Sequence, residues 1–310
     1  MNRLIAAAMI AICTCSGAAN AHDSSPDQGR VKLGYGRLIT NDFIGDTQDR
    51  WRTGSIAASR IWGRGWNGAL PEQFGDILEL RLGGQIIAPD NLTTPAAGDR
   101  PYATSVSLGL HTHFARGAVE FAVGADLVMT GDQTGLRNFQ DGLHDALGVD
   151  GTSATTRAGM IGNDFHPSVV IEAGREFTLN SGARLRPFVE GRAGDETLIR
   201  AGADLTIGQT GLGELLIRDV VSGQRYRAVS NRNAGKSLVL GGDIAHVADS
   251  IYLPESAGYA LSDMRTRLRA GLHWQGEKTS GFYGLTYLGE EFKGQDGGQV
   301  VGSVRLKLDF

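Results

Sequence analysis

The sequence predicts an all-β fold, a twelve-stranded antiparallel transmembrane β-barrel with a short helix in an outward-facing loop. Three observations predict it. The first is alternation: in "VSLGLHTHF", Val106, Leu108, Leu110 and Phe114 oppose Ser107, Gly109, His111 and His113, because side chains along a strand alternate with period 2. "RTRLRAGLHW" repeats the pattern with Leu268, Ala270, Leu272 and Trp274 against Arg265, Arg267, Arg269 and His273. "VVGSVRLKLDF" sets Val300, Val304, Leu306, Leu308 and Phe310 against Ser303, Arg305, Lys307 and Asp309. The second observation is length: the alternating segments run to about 9 to 12 residues, the reach of a tilted strand across a bilayer. The third is that no apolar run beyond the N-terminal leader approaches the roughly 20 residues a membrane helix needs. A secreted soluble β protein also alternates, but in shorter segments.

The chain opens with Arg3, the apolar run "LIAAAMIAIC" and small residues ending at Ala19-Asn20-Ala21, the layout of a secretory signal peptide. Residues 1–21 are therefore expected to be a signal peptide and residues 22–310 one barrel domain carrying its site at the outer rim. Cys13 and Cys15, the two cysteines, both lie in the leader, so the mature chain is expected to hold no disulfide and no cysteine metal site. Net charge is −4 across 310 residues, which offers nothing to nucleic acid and no polybasic membrane patch.

Strands are expected over 31–40, 53–63, 77–88, 102–112, 115–128, 167–177, 184–194, 197–208, 236–248, 264–275, 281–292 and 298–310. An even number puts both termini on the periplasmic side, where short turns such as "LNSGA" and "QGEKTS" belong. The long connections 41–52, 89–101, 129–166 and 249–263 then face outward. The stretch 209–235 is a misfit, long yet periplasmic. Arg265, Arg267 and Arg269 are expected to pair inside the barrel with acids such as Asp243 and Glu172. His111 and His113 read as structural residues of a strand.

One loop carries candidate chemistry. In "GLRNFQDGLHDALG", Leu136, Phe139, Leu143 and Leu147 are spaced three and four apart, a helical stripe that Gly148 ends. Gln140 and His144 stand one turn apart on its flank. Past the glycine the chain can bring Asp150 back toward the imidazole, and a carboxylate on one ring nitrogen raises the basicity of the other. The spacing alone equally fits a polar residue bordering a helix. In "TNDFIGDTQDRWRTG", Asn41 and Asp42 reach the outer rim with Asp46, Asp49 and Arg50 close behind. These are hard oxygen donors suited to calcium, or an ordinary Asn-Asp turn. No G-x-S-x-G elbow occurs, which counts against a serine nucleophile.

Four separated motifs resemble the outer-membrane lipid A 3-O-deacylase family along the mature chain: "NDFIGDTQDRWRTG", "GQIIAP", "GDRPYA" and "QDGLHDALGVD". The resemblance implies calcium-dependent hydrolysis of the ester-linked acyl chain at the 3′ position of lipid A in the outer membrane. His144 would be the base, Asp150 its carboxylate partner, Gln140 a positioning residue, and Asn41 with Asp42 the metal and oxyanion end. Lipid A or lipopolysaccharide would be the substrate, outer-membrane lipids the surroundings, and the chain a monomer. The sequence departs from the family in three places. Asp150 stands where glutamate is common, so that a closer backbone must make up the length; Arg52 stands where threonine is common, with Thr53 one position on; and the aromatic-x-x-Gln after the helix is missing from "TTRAGMIGND". An outer-membrane phospholipase and a non-enzymatic pore or structural barrel are the competing readings.

Overall fold

The structure, a computed structural model, describes residues 29–231 and 233–308. The expected signal peptide at 1–21, with Cys13 and Cys15, and Phe310 lie outside the described residues. The wall is built from β1 (Val31–Asn41), β2 (Trp51–Gly63), β3 (Ile77–Ala88), β4 (Ala103–Arg116), β5 (Val119–Thr130), β6 (Asp164–Gly174), the short β7 (Phe177–Asn180), β8 (Ala183–Ala193), β9 (Glu196–Gly208), β12 (Gly235–Ser250), β13 (Arg265–Gln275), β14 (Thr279–Leu288) and β15 (Gln299–Leu308). Each pairs antiparallel with its neighbours. β6 and β7 lie in line along β8, so the thirteen form twelve wall positions. The ring closes where β1 meets β15 through Ile39↔Val304, Thr40↔Ser303 and Asn41↔Gly302, with the Thr40 and Ser303 hydroxyls 2.8 Å apart.

The expected faces are the observed ones. On β13, Leu268 is 62 % exposed while Arg267 beside it is 5 % exposed, so the oily side looks outward and the charged side into the lumen. A wall whose outside meets hydrocarbon must pair its polar groups inside. Arg267 binds Asp243 at 2.9 Å, Arg269 binds Asp204 at 2.6 Å and Asp243, and Arg265 binds Glu196 at 2.6 Å. The expected partner Asp243 is correct, whereas Glu172 serves Arg186 and Arg218, both at 2.7 Å. His111 and His113 turn inward to Asp126 and Glu79 at 3.0 and 2.7 Å. The β4–β5 turn falls later than expected, at Gly117, whose φ of 57° permits the tight reversal.

The misfit at 209–235 has a physical answer: it folds back into the barrel. β10 (Leu215–Arg218) and β11 (Arg225–Val229) form a hairpin that lies against the inner face of β1. Gly34 and Gly36 make the approach possible, since a Cβ on Gly36 would sit 2.8 Å from the Arg227 carbonyl oxygen. Leu215, Ile217, Tyr226 and Ala228 pack against Leu38, Ile61 and Ile77, burying the hairpin's apolar side inside the wall. Its charged side is held by Arg218, which binds Glu172 and Asp204 at 2.7 and 2.8 Å. A polar cavity of about 510 Å³ remains beside it, lined by Arg81, His111, Arg186 and Arg218 among others.

The hairpin is expected to seal the lumen. Excising residues 212–231 is possible in principle because Gly208 pairs directly with Ser237 across β9 and β12. In planar bilayers the intact barrel should give no stable conductance and the excised barrel a stepwise one, both still migrating as compact, heat-modifiable bands. Porin-sized conductance from the intact chain would show an open lumen.

Candidate active site

The predicted helix forms as α1 (Leu136–Leu147) and stops at Gly148, which adopts φ 69° and ψ 33°, a left-handed cap that suits glycine. Its orientation inverts that of a helix on a soluble core. Phe139 is 55 % exposed and Leu143 is exposed too, whereas the buried residues are Gln140 and His144. Leu136 leans over the outer face of β3, within 3.8 Å of where a Cβ on Gly84 would stand. The apolar stripe thus looks away from the barrel and the polar pair looks toward it.

A polar clamp then returns the chain. Arg137 binds Asp132 and Asp141 at 2.6 and 3.0 Å, and Asp141 accepts hydrogen bonds from the Thr152 N–H at 2.9 Å and the Thr152 hydroxyl at 3.0 Å. Residue 150 is thereby brought over His144. The contact differs from the expectation: the His144 Nδ1 donates to the backbone carbonyl of Asp150 at 2.8 Å, and the Asp150 carboxylate is not the partner. Gln140 accepts a hydrogen bond from the Tyr102 hydroxyl at 2.7 Å, which ties α1 to the β3–β4 loop.

The opposite edge of the ring belongs to the first loop. His144 Nε2 lies 3.2 Å from Asp49 Oδ2. Thr53 Oγ1 bridges onward, bonded to Asp49 and 3.2 Å from Asp42 Oδ1. Asp42 is 1 % exposed and also accepts from the Arg50 N–H at 2.7 Å. The chain His144, Asp49, Thr53, Asp42 therefore unites residues from two loops. Asn41 sits beside it but is tied to main chain: its amide donates to the Thr53 carbonyl at 2.7 Å, and its side-chain oxygen accepts from the Phe43 N–H at 2.9 Å. One amide hydrogen and one lone pair remain to it. Asp46 joins no site, since its carboxylate accepts from the Val300 and Gln48 N–H groups at 3.0 and 3.2 Å and clips the loop to β15.

Thr53 is the residue whose part the spacing misplaced. The β2–β3 register slips between Trp51 and Gly54, and Trp51 takes a φ of 52°, rare for a bulky residue. This bulge lets consecutive residues Arg52 and Thr53 both turn inward. Arg52 goes to Glu291 at 2.8 Å and Gln85 at 2.8 Å, beneath the loops. Thr53 takes the place between the two aspartates.

The electrostatics follow from burial. Desolvation pushes the Asp42 carboxyl up to about 8 against the Arg50 N–H that favours its ionised form, with the charges of Asp49 and Asp46 pushing the same way as burial. For Asp49 burial is outweighed by hydrogen bonds from His144 and Thr53, which hold it below the ordinary carboxylate range. The bond to Asp49 raises His144 above the usual imidazole value, with burial opposing and the Asp150 carbonyl assisting. A buried carboxylate flanked by like charge lacks a cation or a proton. Asp42 suits a hard cation in that respect. Among the described residues no three His, Asp or Glu side chains gather as a metal site, so such an ion would complete its shell from main-chain oxygen and water.

No curated protein matches the chain. Among solved structures, LpxR from Salmonella typhimurium is similar over 89 % of this chain and 100 % of its own, at 15 % identity and a TM-score of 0.74. The β domain of the Bordetella autotransporter BrkA covers 90 % of this chain and 99 % of its own at 12 % identity, with a TM-score of 0.42. The first likeness establishes the shared fold. The family model described as outer membrane protein LpxR matches residues 4–310, and the chain accordingly belongs to the LpxR family of outer-membrane β-barrel proteins.

Proposed function

We propose that this barrel hydrolyses the ester-linked acyl chain at the 3′ position of lipid A, with His144 as general base toward water and calcium held at Asp42. The observation that carries this reading is the linked set of His144, Asp49, Thr53 and Asp42 at the outer rim, next to an apolar helix face that looks outward. Exposed Phe139 and Leu143 on α1, Val149 behind it and Phe43 on the first loop provide apolar surface against which acyl chains of an outer-leaflet lipid can lie. The filled lumen counts against a pore.

In the reaction the Asp150 carbonyl fixes a hydrogen on Nδ1, and Nε2, once it has lost its own proton and parted from Asp49, takes a proton from water. Gln140 is held through its side-chain oxygen by Tyr102, so its amide hydrogens are available to orient the substrate. Asn41 keeps one amide hydrogen for the developing oxyanion. Calcium, when bound, supplies the positive charge that polarises the ester carbonyl. Asp42 would hold it with Asn41 alongside. Water attacks the carbonyl carbon, its proton passes to His144, and that proton returns to the alkoxide of the sugar as the acyl bond breaks, giving a free fatty acid.

Mass spectrometry of lipid A from cells with and without the expressed gene tests the substrate. A mass loss equal to one hydroxyacyl or acyloxyacyl group is expected; an unchanged spectrum, alongside release of fatty acid from glycerophospholipids, would transfer the site to a phospholipase. Purified, folded His144→Ala should lose about 10²- to 10⁴-fold in rate, the usual contribution of a general base. Wild-type activity from that variant would leave His144 a helix-edge residue. Calcium affinity should rise with pH up to about 8 and level beyond it, because below that value the Asp42 carboxyl is protonated and a proton must leave before the ion binds. Calorimetry between pH 6 and 9 reads this, and a pH-independent affinity would remove Asp42 from the binding set.

A further inference from the structure

The imidazole of His144 is gripped at both nitrogens by acceptors, the Asp150 carbonyl at Nδ1 and the Asp49 carboxylate at Nε2. An acceptor on each side requires a hydrogen on each nitrogen. The carboxylate that accompanies the ring therefore comes from the loop between β1 and β2, some hundred residues upstream of the helix, and not from the acid that follows the helix.

We propose that Asp49 is the positioning residue of His144: it supplies the carboxylate that holds the Nε2 edge of the ring in the resting site, and it must yield that edge for water to reach it. The inference rests on the hydrolytic reading above. Three features of the geometry support it. Asp49 is itself anchored, with Thr53 Oγ1 bonded to its other oxygen, so one oxygen is fixed while Oδ2 faces the ring. Position 150 contributes through main chain, which any residue there would supply. The remaining charges around the ring do not compete for Nε2. Asp141, one turn back on α1, is bound to Arg137 and Thr152, Asp46 is clipped to β15, and Asp42 is reached only through Thr53. Arg50, next to Asp49, is directed to Asp90 at 3.2 Å.

Two consequences distinguish positioning from a merely structural role. An ion pair at Nε2 favours the protonated ring, so the base becomes competent only as pH rises past the raised imidazole value. Removing the charge at Asp49 should therefore move the acid limb of the rate profile to lower pH. The ring should also lose its fixed orientation, which lowers kcat and leaves KM near the wild-type value, since Asp49 faces the base and not the substrate.

The test uses full-length protein folded in detergent, with imidazole carbons labelled, in calcium and in excess chelator. NMR titration of His144 in Asp49→Asn should show its midpoint lower by about one pH unit or more, whereas Asp150→Asn, which keeps the carbonyl, should leave the midpoint within about 0.3 unit. Asp49→Glu, as the conservative replacement, should restore the raised midpoint in part. On lipid A, Asp49→Asn should lower kcat by about 10-fold or more and displace the acid limb of kcat/KM in the same direction as the NMR midpoint. If Asp150→Asn moves the midpoint and Asp49→Asn does not, the acid after the helix is the partner and the proposal falls. It falls equally if the midpoint shifts in neither variant. Heat-modifiable migration establishes that each variant is folded. If lipid A proves not to be a substrate, the hydrolytic reading fails while the titration still decides the place of Asp49.

Discussion

A polypeptide wall in hydrocarbon cannot leave a backbone or charged group without a partner, and the rest of this molecule is arranged around that demand. The ladder closes through Thr40 and Ser303, so the sheet has no lipid-exposed edge. Along the middle of the wall, charged side chains turn into the lumen, where arginines meet aspartates and glutamates in mutually bonded rows such as Arg269 with Asp204 and Asp243. Removing one partner of such a buried pair typically costs about 3–5 kcal/mol, whereas the intact pair adds little net stability. The rows therefore specify which strands face each other more than they strengthen the barrel. The hairpin at 215–229 completes them from within, supplying Arg218 to acids on β6 and β9 and apolar side chains to the inner face of β1 and β2.

A lumen filled in this way is a rigid base for loops at the rim. Arg52 anchors the start of β2 to Glu291 and Gln85, Asp46 clips the first loop to β15, and Leu92 receives the Thr156 hydroxyl at 2.6 Å from the loop behind α1. Loops fastened at several points can hold side chains to the tolerance that acid–base chemistry requires. The site then lies at the boundary between lipid and water, with its polar residues toward the barrel and its apolar ones outward. That arrangement suits the amphipathic substrate of the proposed reaction, whose acyl chains would remain in the leaflet while its polar part meets His144.

Burial accounts for the chemistry of the same residues. Asp42 is withdrawn from water beside two other acids, so it holds a proton strongly. Asp49 is withdrawn as well but meets His144 and Thr53, so it stays ionised. Two aspartates seven positions apart in one loop thus acquire opposite tendencies from their neighbours, the separation of roles that acid–base sites need.

Period-2 alternation and segment length determined the barrel, its twelve wall positions and which face meets lipid, because a strand's faces are set by its own backbone geometry. The same locality made α1 legible to within a residue, from the spacing of Leu136, Phe139, Leu143 and Leu147 and from Gly148. Only the tertiary structure decided the rest. Nothing local in 209–235 says that it enters the lumen; the glycines it packs on lie near position 35, and the acids it pairs with lie on β6 and β9. The place of Thr53 depends on a bulge at Trp51, which shifts inward-facing side chains by one residue without any mark in the alternation. The partner of His144 depends on how two loops meet across the rim: the acid after the helix supplies a carbonyl, and the carboxylate comes from Asp49 in the first loop, a pairing set by distance in space and not along the chain.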